Sequence, residues 1–122
     1  MIKYQWDNQV IFIREEFPIF FGGDVIRNVQ DDYMDQFYKA ILSLETLEDC
    51  YSFFEDVATV TEIKALAQRF QVAKMLKEGY TYQDIEEKTG ASTATISRVK
   101  RFLHYGAGGY EVALKKLNQK EQ

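Results

Sequence analysis

One stretch constrains this chain more than any other: Thr81-Tyr-Gln-Asp-Ile-Glu-Glu-Lys-Thr-Gly-Ala-Ser-Thr-Ala-Thr-Ile-Ser-Arg-Val-Lys-Arg101. It reads as two short helices joined by a tight turn. Thr81 with Asp84 three residues on is a capping-box-like start, in which each side chain can satisfy a free amide of the first turn. Gly90 stands where the first helix must stop and reverse, a place that favours left-handed backbone. Ser92 is a strong N-cap for the second helix. Ile85, Ala91, Ile96 and Val99 fall where two crossed helices need packing contacts, which leaves Thr93, Ala94, Ser97 and Lys100 facing outward. This is the pattern of a helix-turn-helix. An ordinary helical hairpin within a bundle is the bland alternative. The small polar residues opening the second helix, followed by Arg98, Lys100 and Arg101, favour a surface that meets DNA.

Charge supports that reading once the chain is divided. The 122 residues carry a net charge of −4, which alone argues against nucleic acid. Residues 1–32 and 33–68 carry −3 and −5, whereas residues 69–122 carry +4. The positive half is the half that holds the motif. At 14.3 kDa the chain is long enough for one modest core. No apolar run approaches the roughly 20 residues of a membrane span, and no secretory leader pattern is present. A cytoplasmic protein without membrane partners is expected. Cys50 and His104 are the single cysteine and histidine, so a disulfide framework or a Cys/His zinc site within one chain is excluded.

Residues 1–32 form an extension that the pattern reads poorly. Gln9–Ile13 and Phe17–Phe21 are apolar, β-branched and aromatic runs that could pair as a hairpin, although no good two-residue turn lies between them. The segment is either an accessory arm or a weakly ordered extension. Translation starting at Val25 or Val29, behind a ribosome-binding sequence encoding Gly22-Gly23-Asp24, is a further expectation that intact mass would decide. The main domain is expected over residues 33–119. Met34, Phe37, Tyr38, Ile41 and Leu42 give one helical face, and Leu47, Tyr51, Phe54, Val57 and Ala58 give a second. Thr59 with Glu62 opens a long helix whose buried face is expected to be Ile63, Leu66, Ala67, Phe70, Ala73 and Leu76. Gly79 closes it. The second motif helix runs on through Phe102 and Leu103 towards His104. Gly106–Gly109 is a break, and Tyr110, Ala113, Leu114 and Leu117 make a last amphipathic helix with a polar tail. Six such helices expose too much apolar surface for one small bundle, so a homodimer is expected. Two recognition helices about 34 Å apart would then reach successive major grooves.

On such a surface Tyr82, Gln83 and the amide end at Thr81 would position phosphates. Ser92 caps the reading helix at its edge, and Thr93, Ala94 and Ser97 lie nearest the bases. Their small size implies some readout through water or DNA shape. Arg98, Lys100 and Arg101 are electrostatic anchors, with an inward-pointing Arg98 as the alternative. Glu86 interrupts an otherwise basic face, and either accepts from a cytosine amino group or repels phosphate. No catalytic constellation is found. Glu86-Glu87 and Glu15-Glu16 read as solvated faces, His104 as a helix-end cap, Cys50 as a small core residue, and the aromatics as core and dimer interface.

The chain from about Tyr33 to Leu117 resembles the Trp repressor superfamily, and within it the small YerC/YecD-like branch. The resemblance rests on Ser43-Leu44, Leu66-Ala-Gln-Arg69, Leu76-Lys-Glu-Gly79 and above all Thr89-Gly-Ala-Ser-Thr-Ala-Thr-Ile-Ser-Arg-Val-Lys-Arg101. It implies an all-α, six-helix Trp repressor-like fold with a helix-turn-helix, forming an intertwined homodimer that binds operator DNA as a regulator. By position, Thr93, Ala94 and Ser97 match base-proximal sites, while Tyr82, Gln83, Glu86 and Thr95 match other DNA contacts. The ligand's indole in tryptophan-binding members lies between two arginines. Arg98 matches one; Arg69 matches the other if the preceding turn differs by one residue, and otherwise Gln68 takes that place. Val99 stands where those members have glycine, and Phe102 where they have a serine that helps hold the ligand amino group. Both add bulk, and the second removes a polar partner. The expectation is a transcriptional regulator, most simply a repressor, that needs no cofactor and does not respond to tryptophan, its effector being unknown. A protein-interaction module using the basic face on an acidic partner is the rival reading.

Overall fold

The computed structural model describes residues 2–6, 9–13 and 32–121. Strands β1 (Ile2–Trp6) and β2 (Gln9–Ile13) precede six helices: α1 (Asp32–Leu42), α2 (Leu47–Val57), α3 (Val60–Lys77), α4 (Tyr82–Thr89), α5 (Thr93–Tyr105) and α6 (Gly109–Glu121). The chain divides into two units, Met1–Asp49 and Cys50–Gln122. No helix among the described residues is long and apolar enough to cross a membrane.

In the first unit β1 and β2 are antiparallel, with register from Ile2↔Ile13 to Trp6↔Gln9. Gln9–Ile13 is therefore a strand, as its composition suggests, and it pairs with Ile2–Trp6; the other expected strand was Phe17–Phe21. The latter run lies outside the described residues. The signal for β1 was present in the alternation Ile2-Lys-Tyr-Gln-Trp6, followed by a two-residue connection of turn-forming type. α1 begins at Asp32, and none of its residues is buried. Thr46 starts α2 by accepting from the Asp49 amide at 3.0 Å, while Asp49 accepts the Thr46 amide at 3.3 Å. The interruption at Ser43–Thr46 is thus a cap as well as a break.

The second unit is built on α3, against which α4, α5 and α6 pack. Thr59 and Glu62 close a reciprocal capping box, with amide bonds of 3.2 and 3.0 Å. The far end of α3 stops in a Schellman arrangement. Tyr80 N–H donates to the Met75 carbonyl and Gly79 N–H to the Leu76 carbonyl, with Gly79 at φ 88°. The core is Val72, Ala73, Met75, Ile85, Ala91, Ile96, Val99 and Leu114, with Phe70, Leu76, Tyr82 and Tyr110 packed around it. This corrects the expected face of α3. Ala73, Phe70 and Leu76 do contribute, but Leu66 is 54% exposed and Ala67 is also exposed. The neighbours α4 to α6 close on the C-terminal half of α3. There Val72 and Met75 are enclosed along with the expected stripe, while the first half extends beyond the core. In α6 Leu114 is buried and Ala113 is exposed, so the apolar stripe is narrower than its periodicity suggests.

Candidate nucleic-acid interface

α4, the turn and α5 are set by short-range chemistry. Thr81 accepts from the Asp84 amide at 3.2 Å and so starts α4. Asp84 does not return the bond expected of a full box, and its exposed carboxylate lies in the first turn, where the helix dipole favours it. Gly90 ends α4 at φ 74°, its N–H donating to the Glu86 carbonyl at 2.9 Å. Ser92 then caps α5 by accepting from the Thr95 amide at 3.1 Å, and its hydroxyl donates to Thr95 Oγ1. Both polar functions of Ser92 are thereby committed to starting the helix.

The turn is also held from outside. Gln68 on α3 donates through Nε2 to the Thr89 carbonyl at 3.1 Å. Thr89 Oγ1 donates to the Ile85 carbonyl and accepts from the Ala91 amide, at 2.6 and 3.1 Å. Gln68 thus positions the turn. Sequence reasoning considered it only as a stand-in for a ligand arginine, although a glutamine on a helix directed at a core is a usable signal for a buried hydrogen bond. Ile85, Ala91, Ile96 and Val99 are all buried, as the spacing predicts.

The outward face carries the expected residues. Gln83, Ser92, Thr93, Ala94, Ser97, Arg98, Lys100 and Arg101 are exposed, and Tyr82, Glu86 and Thr95 are half-buried. Tyr82 packs on the core, with the Lys100 ammonium 5.7 Å from its ring centroid. Arg98 is exposed and does not turn inward. Its guanidinium and that of Arg101 lie 5.7 and 5.5 Å from the Phe102 ring centroid, so one aromatic ring orients two cations. Phe102 as a platform was not foreseen; aromatic and arginine at i, i+4 and adjacent positions were the clue. Thr93 donates its hydroxyl to Glu86 Oε1 across the turn. Arg69 is exposed on α3. An open cleft of about 370 Å³ beside Phe102 is completed by Ala107, Gly108, Gly109 and Tyr110, and includes neither Arg69 nor Arg98. Among the described residues no cluster of His, Cys, Asp and Glu could hold a metal ion.

A family model for the Trp repressor protein matches residues 32–118. The chain belongs to the Trp repressor family. Within that family it falls on the YerC-like branch: "Uncharacterized protein YerC" of Bacillus subtilis (strain 168) is 58% identical over 88 residues, covering 72% of this chain and 85% of the relative. A solved structure from Staphylococcus aureus, named as a candidate Trp repressor, shares 53% identity with a TM-score of 0.73, covering 76% of this chain and 93% of its own. A TrpR-like protein from Eubacterium eligens ATCC 27750 gives 54% identity and a TM-score of 0.73, covering 75% and 95%. The helical part of this chain therefore has the all-α Trp repressor-like fold.

Proposed function

We propose that the protein is a sequence-specific DNA-binding transcriptional regulator, a repressor in the simplest case, that works in the cytoplasm as a homodimer without tryptophan. One observation carries the reading. A helix-turn-helix held rigid by two caps, Gly90 and Gln68 presents small polar residues outward, with Arg98, Lys100 and Arg101 beside them. α4 would cross the phosphate backbone, with Tyr82 and Gln83 towards phosphates. α5 would bring Thr93, Ala94 and Ser97 to base edges, with Thr95 close by. Family membership supports a regulator; the exposed apolar side chains of α1, α2 and the first half of α3 support a partner subunit.

Val99 is what argues against tryptophan. It is buried in the core and not merely near a pocket, so its bulk cannot be moved aside without disturbing the packing. Calorimetry is expected to show no stoichiometric tryptophan binding at micromolar concentration. For DNA, the test is selection of bound fragments from sheared genomic DNA, followed by titration of an enriched fragment at several salt concentrations. Affinity is expected to fall with a log–log slope of about −0.9 per phosphate neutralised. If no fragment is retained at low salt, the reading fails. If neutralising Arg98, Lys100 and Arg101 leaves DNA binding intact, the basic face serves a different partner.

A further inference from the structure

Within the proposed DNA-reading role, on which this inference rests, one contact on the outward face has a chemical consequence of its own. Thr93 is the first residue of α5 and is exposed, at the position expected to lie nearest the bases. Its hydroxyl donates to Glu86 Oε1 on α4. A threonine hydroxyl has one proton and two lone pairs, so it can ordinarily donate to a base or accept from one. An ionised carboxylate only accepts. With its single proton directed at Glu86, the Thr93 oxygen retains lone pairs alone for a ligand.

We propose that Glu86 sets the reading polarity of Thr93, making it an acceptor-only contact that selects an exocyclic amino group in the major groove. Adenine N6 and cytosine N4 carry such groups; guanine O6 and thymine O4, in the corresponding places, are acceptors. The contacted strand should therefore prefer adenine or cytosine over guanine or thymine at one position of each half-site.

The geometry gives Glu86 the means to impose this. Its backbone carbonyl already accepts the Gly90 amide, so the side chain springs from the rigid part of the turn. Glu86 is half-buried, and Thr93 is its one side-chain partner among the described residues. The neighbouring hydroxyls differ. Ser92 is committed to the Thr95 amide and hydroxyl, and Ser97, one turn beyond Thr93, has no side-chain acceptor among the described residues. Ser97 keeps both options, whereas Thr93 keeps one. Glu86 is thus a positioning residue, not merely a misplaced negative charge on a basic face.

The test selects bound duplexes from a randomised pool with the full chain and its E86A, E86Q, T93V and T93S variants, each first checked by circular dichroism for wild-type helicity. Wild type should favour adenine or cytosine roughly tenfold at one position, the range of a single good base contact. E86A frees the hydroxyl proton and T93V removes the hydroxyl. Each should level the four bases at that position and leave the others unchanged, and the double variant should add nothing further. T93S should retain the preference. E86Q keeps an acceptor without the charge, so it should retain most of the preference while raising affinity for all sequences alike. The proposal is overturned if E86A shifts affinity uniformly with the base profile intact, or if T93V leaves that position unaltered. A wild-type protein that enriches no sequence would instead defeat the DNA-binding reading itself.

Discussion

Single positions in this protein are decided by backbone conformation, burial and capping. Gly90 at φ 74° has no serious steric neighbour, since an added Cβ would approach only Gln68 Nε2, at 4.0 Å. The cost of Gly90→Ala is therefore one of left-handed backbone, about 1 kcal/mol, read as a lowered midpoint in urea unfolding. Ile96 is fully buried, and Ile96→Ala should cost roughly 2–5 kcal/mol through lost burial and the cavity left behind. An effect below 1 kcal/mol would mean that the helices close over the gap. Glu62 shows the reverse sensitivity, to pH. The Thr59 amide and then the Thr59 hydroxyl contact hold its carboxyl below the ordinary glutamate range. A depressed folded pKa contributes stability above the unfolded value and loses it as pH falls through the folded one. NMR titration should find Glu62 the more acidic for its cap, and Thr59→Ala, which removes the hydroxyl but keeps the amide, should return it only part of the way to the ordinary range.

At the level of the helices, the motif was largely legible because its signals are local. Thr81, Gly90 and Ser92 each act on amides or dihedrals within four residues, and the buried positions follow from the helical period. The same locality explains what was missed. Gln68 reaches a carbonyl twenty-one positions away, a pairing no spacing rule contains. Phe102 was weighed only as bulk in a ligand pocket, whereas its partners are the two arginines beside it. On α3 the period found Phe70, Ala73 and Leu76 but passed over Val72 and Met75, and it could not say how far along the helix the core extends. α5 also permits an element-scale prediction. Replacing Arg98, Lys100 or Arg101 singly by alanine should weaken DNA binding almost equally for all sequences. Each lost phosphate contact should make the salt slope shallower by about 1. A sequence-dependent loss would move that residue from anchor to reader.

At the scale of the molecule, the apolar residues of the described part divide into a small enclosed set and a larger exposed one. Leu42, Tyr51, Val60 and Leu66 all stand more than half exposed. A chain ending its packing there would be sticky. The proposed dimer predicts that sedimentation equilibrium returns twice the 14.3 kDa chain mass. It also predicts a thermal midpoint that rises with protein concentration. Leu66→Glu, at a position already open in the single chain, should leave helicity intact and lower the mass to that of one chain. If wild type sediments as one chain, the dimer is wrong, and with it the two-groove geometry.

The placement of the core also bears on how the chain reaches its structure. Among the described residues, all eight enclosed side chains lie between Val72 and Leu114, so the core closes within one span of the chain and needs little loop closure. The motif and the end of α3 should therefore condense first and fast, ahead of any step that depends on meeting a second chain. In hydrogen exchange, the amides of α4, α5 and the last turns of α3 would be the slowest to open. The proposed DNA-reading surface would then be complete before the proposed second chain is met.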